Sequence, residues 1–507
     1  MSLPNTSLLS YSDTLMRLRY NAGKYGIGNG VELEYPAVDE LRPLSLLNAD
    51  IPTLFPYTGN GNQIPPPERS RPRQEVQAAT LLKAVETTTP WAEEWVGFWR
   101  DHFSIYGFDN GVGAYLPHWD RTVLRERCWG NFQDLLEASA QHPCMLTYLN
   151  NRSSRAGSAN ENYARELFEL HTLGRKAYLN NLYSQWRSVP GANQGKPQGY
   201  IDQDVYEAAR AFTGWSIEDG THLGGGQFLP KTGQFIYVAA WHDNYQKRIL
   251  ASEFEPYAAA LADGKKVLNQ CATHPATAKH LSFKLIQRFV NDKPPTDLVN
   301  STAQVFMDKR SAPDQLQLVY QHIVQASSKI PTPQKQKAKR PMRLIASFVK
   351  AVNLPFFLGD GGVATWPLES AGVPIYGWQS PDGPPDGLPW ILSASYIRQR
   401  TQLTMGIAEN WWGTNEWNPF AGLPTKPTYE QMLAKWEIAL FNQPRPELSN
   451  ALLISQNTKP NEIAQDPRRA RRLVGLLACA PSFQTEVILP SPEELKRAMQ
   501  GNLGAKA

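Results

Sequence analysis

Residues 89–103 read TPWAEEWVGFWRDHF, and their spacing decides the fold. Thr89 before Pro90 is a helix start, since proline at the first helical position loses no intrahelical donor and threonine can cap. Trp91, Trp95, Phe98 and His102 follow at i, i+4, i+7 and i+11 and share one face, which predicts a helix turning an aromatic side to a core. Working outward, the same period predicts helices over 121–140, from His142-Pro143, and over 160–173 with Gly174 as a stop. It resumes over 202–213, 257–271, 275–290, 297–307, 314–325 and 340–351. After a Gly/Pro-rich stretch from Phe357 to Pro389 it returns over 392–405, 429–441, 447–455, 466–478 and 492–498. Only Gly233 to Ala240 (GQFIYVAA) reads as strand. The expectation is an all-α protein: one large multi-helix domain with long irregular Gly/Pro-rich loops and at most a minor β-hairpin. Residues 1–74 read as an irregular N-terminal segment, 75–355 as the helical core, and 356–507 as a Gly/Pro-rich loop plus C-terminal helices packed on that core.

Composition narrows the partners. Lys and Arg total 51 against 47 Asp and Glu, a net +4, with 19% charged, 41% hydrophobic and 11% aromatic residues. This is an ordinary globular balance, neither the basic domain of a nucleic-acid binder nor a disordered chain, so no nucleic-acid partner is expected. No apolar run is long enough for a transmembrane segment, and Met1 to Leu15 lacks a basic start followed by an apolar stretch. The expected address is cytoplasmic if Met1 is the native start. Cys128, Cys144, Cys271 and Cys479 are too scattered for a disulfide framework or a zinc ribbon, which leaves nine histidines as the soft chemistry. Phosphate-cradle, dinucleotide, nucleophile-elbow and H-E-x-x-H patterns do not occur.

The most polar helix is Asn160 to Gly174, NENYARELFELHTLG. Glu161, Asn162, Arg165, Glu166, Glu169 and Thr172 occupy one arc, and Tyr163, Ala164, Leu167, Phe168, Leu170 and His171 the other. Glu161, Arg165 and Glu169 form i,i+4 pairs worth about 0.3–0.5 kcal/mol each, which describes a solvated face. Asn162, Glu166 and Glu169 at i, i+4 and i+7 equally project oxygen ligands or acid/base groups into a cleft. His171 lies within the apolar arc, as His102 lies on the aromatic face of its own helix. Such histidines are more often core residues with one satisfied hydrogen bond than ligands, yet two in neighbouring helices point to a shared buried polar site.

His142-Pro143 and His274-Pro275 read as helix N-caps, where the helix dipole disfavours imidazolium. His242, Asp243 and Lys247 in WHDNYQK read as a functional loop cluster, with a solvated turn as the plainer account. The basic runs over 335–343 and 467–472 read as solvated surface. The aromatic segment over 410–417 reads as packing between helices, with sugar stacking as the sharper alternative.

These segments together resemble the bacterial domain-of-unknown-function 1800 family (DUF1800). The resemblance is carried by Phe98 to Phe103 with Arg100, Gly130-Asn131-Phe132, His142 to Leu146, and above all Asn160 to Gly174. It continues through Asp204-Val205, Ala209 to Trp215, His242-Asp243 with Lys247, His274 to Ala278 and Lys339-Arg340-Pro341, in order over roughly residues 81–400. It implies a helical protein but no established reaction. Family members often carry N-terminal export signals, so the resemblance leaves export open.

Two functional readings stand side by side. One is a metal-dependent enzyme, hydrolytic or oxidative, in which His102, His171 and His242 hold zinc, iron or manganese, while Glu166, Glu169, Asp243 and Lys247 move protons or orient a ligand. The other is a non-catalytic helical scaffold or glycan-contacting module with a glycan or envelope partner. There Arg100, Asn162, Arg165, His142, His274 and the other motif residues form a satisfied polar network. A third reading is metal-free acid/base catalysis by Glu166 and His171.

Overall fold

The computed structural model describes residues 4–27, 30–60, 64–354, 373–386, 393–411 and 417–500. Helices form where the apolar period demands them, among them Pro90–Phe103, Asp202–Ala211, Pro275–Phe289, Gln315–Ser327 and Pro341–Val352. The all-α expectation is nonetheless overturned. The chain is 54% helical and 11% strand, a helix-rich mixed α/β protein with several small antiparallel sheets. Each sheet has only two strands.

The strands sit where short alternations are diluted by polar residues. Leu15–Tyr20 pairs with Val38–Pro43, and Gly23–Gly26 with Glu32–Tyr35, inside the stretch that reads as irregular. Met16 and Leu18 turn inward, while Arg17 turns out to meet Asp39 at 2.7 Å. Two inward residues are too few for a visible period of two. The anticipated strand forms over Lys231–Tyr237 and finds a partner in Trp215–Asp219. Lys247–Ile249 and Ser252–Phe254 form a hairpin where a loop was expected. Its connecting residues Leu250 and Ala251 both have positive φ, 48° and 59°, which the right-handed strand twist asks of a two-residue connection.

A contiguous apolar cluster runs from Leu8 to Met499. At its centre Trp95 stacks on Trp129 at 5.3 Å and meets Tyr320 edge-on at 4.8 Å, geometries that add to the gain from burial. The helix expected over 121–140 is split. Trp119–Arg125 is a π-helical turn, and Phe132–Gln141 begins afresh after Asn131, whose side chain caps the Gln133 amide at 2.9 Å. A second π-helical turn, Leu167–His171, ends the polar helix. Such turns are rare and concentrate at functional sites.

Of the Gly/Pro-rich stretch 357–389, residues 373–386 are described and the remainder lies outside the described residues. The described part crosses the front of the Pro90–Phe103 helix as a strap. The Gly107 amide donates to the Tyr376 carbonyl at 2.7 Å, the Tyr376 hydroxyl to Asp120 at 2.6 Å and the Ser104 hydroxyl to the Ser380 carbonyl at 2.9 Å. Gly383, at φ 76°, lies so close to the Asp101 carbonyl that a Cβ would approach it to 2.2 Å. Residues 412–416 of the aromatic segment also lie outside the described residues; Trp417 is buried against Trp436, and Trp411 is exposed. Among the described residues no helix is long and apolar enough to cross a membrane.

Candidate functional site

The motif histidines, with His280, separate into three groups, and hydrogen bonding decides what each can do. His142 and His274 cap their helices: each Nδ1 accepts a backbone amide, from Cys144 at 3.1 Å and Ala276 at 3.0 Å. Nε2 must then carry the proton. His142 gives it to His118 Nδ1 at 3.0 Å and His274 to the Pro197 carbonyl at 2.9 Å. Both rings are consumed by structure, and burial holds both pKa values below the usual imidazole range.

His242 belongs to a second group, a closed network beneath the hairpin. Its Nδ1 donates to the Thr213 carbonyl at 2.8 Å, and its Nε2 faces Asp263 at 3.3 Å. Lys247 donates to the carbonyls of Asp243 at 2.5 Å and Tyr245 at 2.9 Å, and to the Asp263 carboxylate at 2.7 Å. Three ammonium protons thus meet three oxygens, at a side chain only 1% exposed. Arg210 grips Asp243 with two bonds, at 2.8 and 3.0 Å. Burial opposes ionisation of Asp263, but His242 and Lys247 outweigh it and hold its carboxyl below the usual range.

The third group is open. His102 Nε2 donates to the His171 carbonyl at 3.1 Å, which leaves Nδ1 as an acceptor, and Lys284 Nζ stands 3.0 Å from it. The π-helical turn carries that carbonyl to His102 and sets the two rings 6.0 Å apart, with Phe103 5.3 Å from His171. Neither ring nitrogen of His171 has a protein partner, although the side chain is buried. His280, one turn before Lys284, donates to the Leu170 carbonyl at 3.2 Å and packs against Gly174. Burial, reinforced by the Lys284 charge, pushes His102 well below the usual imidazole range, His171 to about 3 and His280 to about 4. Burial also lowers Lys284 to about 8, against the pull of Asp386.

Lys284 lies on the wall common to two cavities, of about 590 and about 400 Å³. The larger is lined by Leu170, Leu173, Ala276 and Phe283, with Arg175, Lys176 and Lys279 among its charged residues. The smaller is walled by Phe98, Asp101, His102 and the strap. Beside it, Arg340 bridges Asp101 at 2.8 Å and Asp386 at 2.7 Å, and Arg288 pairs with both aspartates. Burial opposes the Asp101 charge, yet Arg340 and Arg288 hold its carboxyl at about 2. Arg100 reaches Asp101 at 3.6 Å.

The expected ligand set does not assemble. Both nitrogens of His102 and both of His242 are engaged, and His242 belongs to a different network. Among the described residues no three His, Cys, Asp or Glu side chains form a group able to hold a metal. The Glu166–His171 pair is also divided: His171 is buried beside Phe103, whereas Glu166 is half-buried among Glu169, Arg175 and Asp382. Burial and Glu169 raise the Glu166 carboxyl. Glu169 pairs with Arg175 at 2.5 Å at the larger cavity; Arg165 pairs with Glu161 at 3.1 Å, and Asn162 donates to the Leu149 carbonyl at 3.3 Å.

Sequence reasoning missed Lys284 and His280. Their one available sign was His280, Lys284 and Gln287 at i, i+4 and i+7, a polar stripe along one face of the helix. No curated protein and no solved structure matches the chain. The segments that build the junction, from the Asp101-His102 pair to Arg340, all fall within residues 15–485, which match the family model described as protein of unknown function (DUF1800), and the chain belongs to that family.

Proposed function

We propose that the chain is an enzyme that moves protons on a small substrate held in the larger cavity, with the Lys284 amine as the acid/base group and His102 as its positioning residue. One observation carries this reading: Lys284 Nζ lies 3.0 Å from an imidazole nitrogen that can only accept, at a wall shared by two cavities. The His171 carbonyl fixes the His102 tautomer, so Nδ1 holds one amine hydrogen, while Lys284 lines both cavities. An ammonium whose pKa is about 8 is neutral in about a tenth of molecules at pH 7, enough to exchange protons in both directions.

Competitive acylation of the lysines, followed by peptide mass spectrometry across pH, tests the assignment. Lys284 should label with a midpoint near pH 8, ahead of exposed lysines that label above about pH 10, and His102→Gln should move that midpoint. Labelling in step with the surface lysines, or only after unfolding, would sink it. The scaffold reading is favoured at one place, the Lys247 network, where the three ammonium protons are matched by three oxygens.

A further inference from the structure

We infer that the larger cavity takes an amphipathic anion: an apolar acyl or aryl body inside and one anionic group at the mouth. The inference rests on this cavity being the substrate site proposed above. The interior is formed by Leu170, Leu173, Ala177, Ala276, Phe283 and Val299, and its roughly 590 Å³ falls in the range of small-molecule pockets. The mouth is charged unevenly. Arg175, Lys176 and Lys279 are exposed there, and Arg175 is matched by Glu169 at 2.5 Å. Among the described residues Lys176 and Lys279 have no ion-pair partner. Lys176 is held over the Phe283 ring at 5.0 Å, so its charge stands where the apolar wall begins. Asp382 is the remaining carboxylate on the lining, against three further cations there, Lys284, Lys176 and Lys279. A neutral apolar ligand would leave that positive surplus unused, and a cation would be repelled by it. An anion gains from it, and an apolar body displaces water from the interior.

Dodecanoate, dodecan-1-ol and dodecyltrimethylammonium, titrated into the full chain by calorimetry, provide the test. Dodecanoate should bind about tenfold or more tighter than the alcohol, with the cation weakest. The double variant Lys176→Glu/Lys279→Glu, altered only at exposed positions, should lose that preference, and Ala276→Trp should abolish binding by filling the cavity. Equal affinity for all three amphiphiles, absence of binding, or binding untouched by Ala276→Trp would overturn the inference. Failure here with Lys284 still labelling near pH 8 leaves the acid/base assignment standing. Selective dodecanoate binding with an unreactive Lys284 leaves an anion-binding cavity without the proposed chemistry.

Discussion

The molecule contains two lysine–histidine pairs that look alike on paper and differ in what their protons do. At Lys247 the ammonium is saturated by two carbonyls and Asp263, and His242 completes the same carboxylate. At Lys284 the protein partner is a neutral imidazole nitrogen, and the amine fronts two cavities. Burial separates the pairs only in degree, Lys247 being buried and Lys284 half-buried. What separates them is hydrogen-bond capacity left over. A saturated ammonium has nothing to offer a ligand and a great deal to lose on removal, whereas an under-coordinated one is the reverse.

The largest test of this contrast is stability. Lys247→Met strands a buried carboxylate and two carbonyls, and should cost about 3–5 kcal/mol in urea unfolding. Lys284→Met leaves only His102 Nδ1 without a donor and should cost about 1–2 kcal/mol while removing the reactive amine. Equal costs at the two positions would erase the distinction.

Acid should sharpen it. His102, His171 and His280 at the open junction have native pKa values below the unfolded value near 6.5. Above about pH 6.5 neither state binds these protons and the native state keeps its full stability. As pH falls from 6.5 towards 4 the unfolded chain takes up protons that the native state refuses, so stability declines by up to about 1.4 kcal/mol per pH unit for each histidine. Asp263 is held below the usual carboxylate range, so its carboxylate keeps its charge through most of that window. The protection factors of the Pro275–Phe289 helix, that is, exchange relative to the unfolded chain at the same pH, should therefore fall between pH 6.5 and 5, while those of the Lys247–Ile249 hairpin hold. Simultaneous loosening of both would contradict the contrast.

The smallest effect is in the turn above the closed network. Ala251 adopts a left-handed conformation that glycine enters without strain, so Ala251→Gly should stabilise the protein by about 0.5–1 kcal/mol in thermal unfolding. A loss of stability would mean that the Ala251 methyl contributes more by packing than the backbone loses.

The helices and the histidine caps were legible because each depends on neighbours within a turn or two: Pro after His at 143 and 275, and Trp91, Trp95, Phe98 and His102 on one face. The N-terminal strands were not, since Met16 and Leu18 alone mark the inward side of Leu15–Tyr20. The closed cluster is visible as His242, Asp243 and Lys247 within six positions, and that proximity is what makes it read as chemistry. The open junction joins His102 to a lysine 182 positions away, and no local period records such a contact. The π-helical turn that delivers the His171 carbonyl is equally silent, because Leu167–His171 continues an apolar arc that an ordinary helix would also show.

The arginine–aspartate cluster gives the junction an order of assembly. Asp101 meets Arg288 across 187 positions and Arg340 across 239, and Arg340 meets Asp386 a further 46 along. During synthesis the His102 helix and Lys284 leave the ribosome long before the strap that closes the smaller cavity. Contacts of such separation form late, after local helices. A nascent or truncated chain ending before residue 373 would therefore lack the strap wall of the smaller cavity beside Lys284.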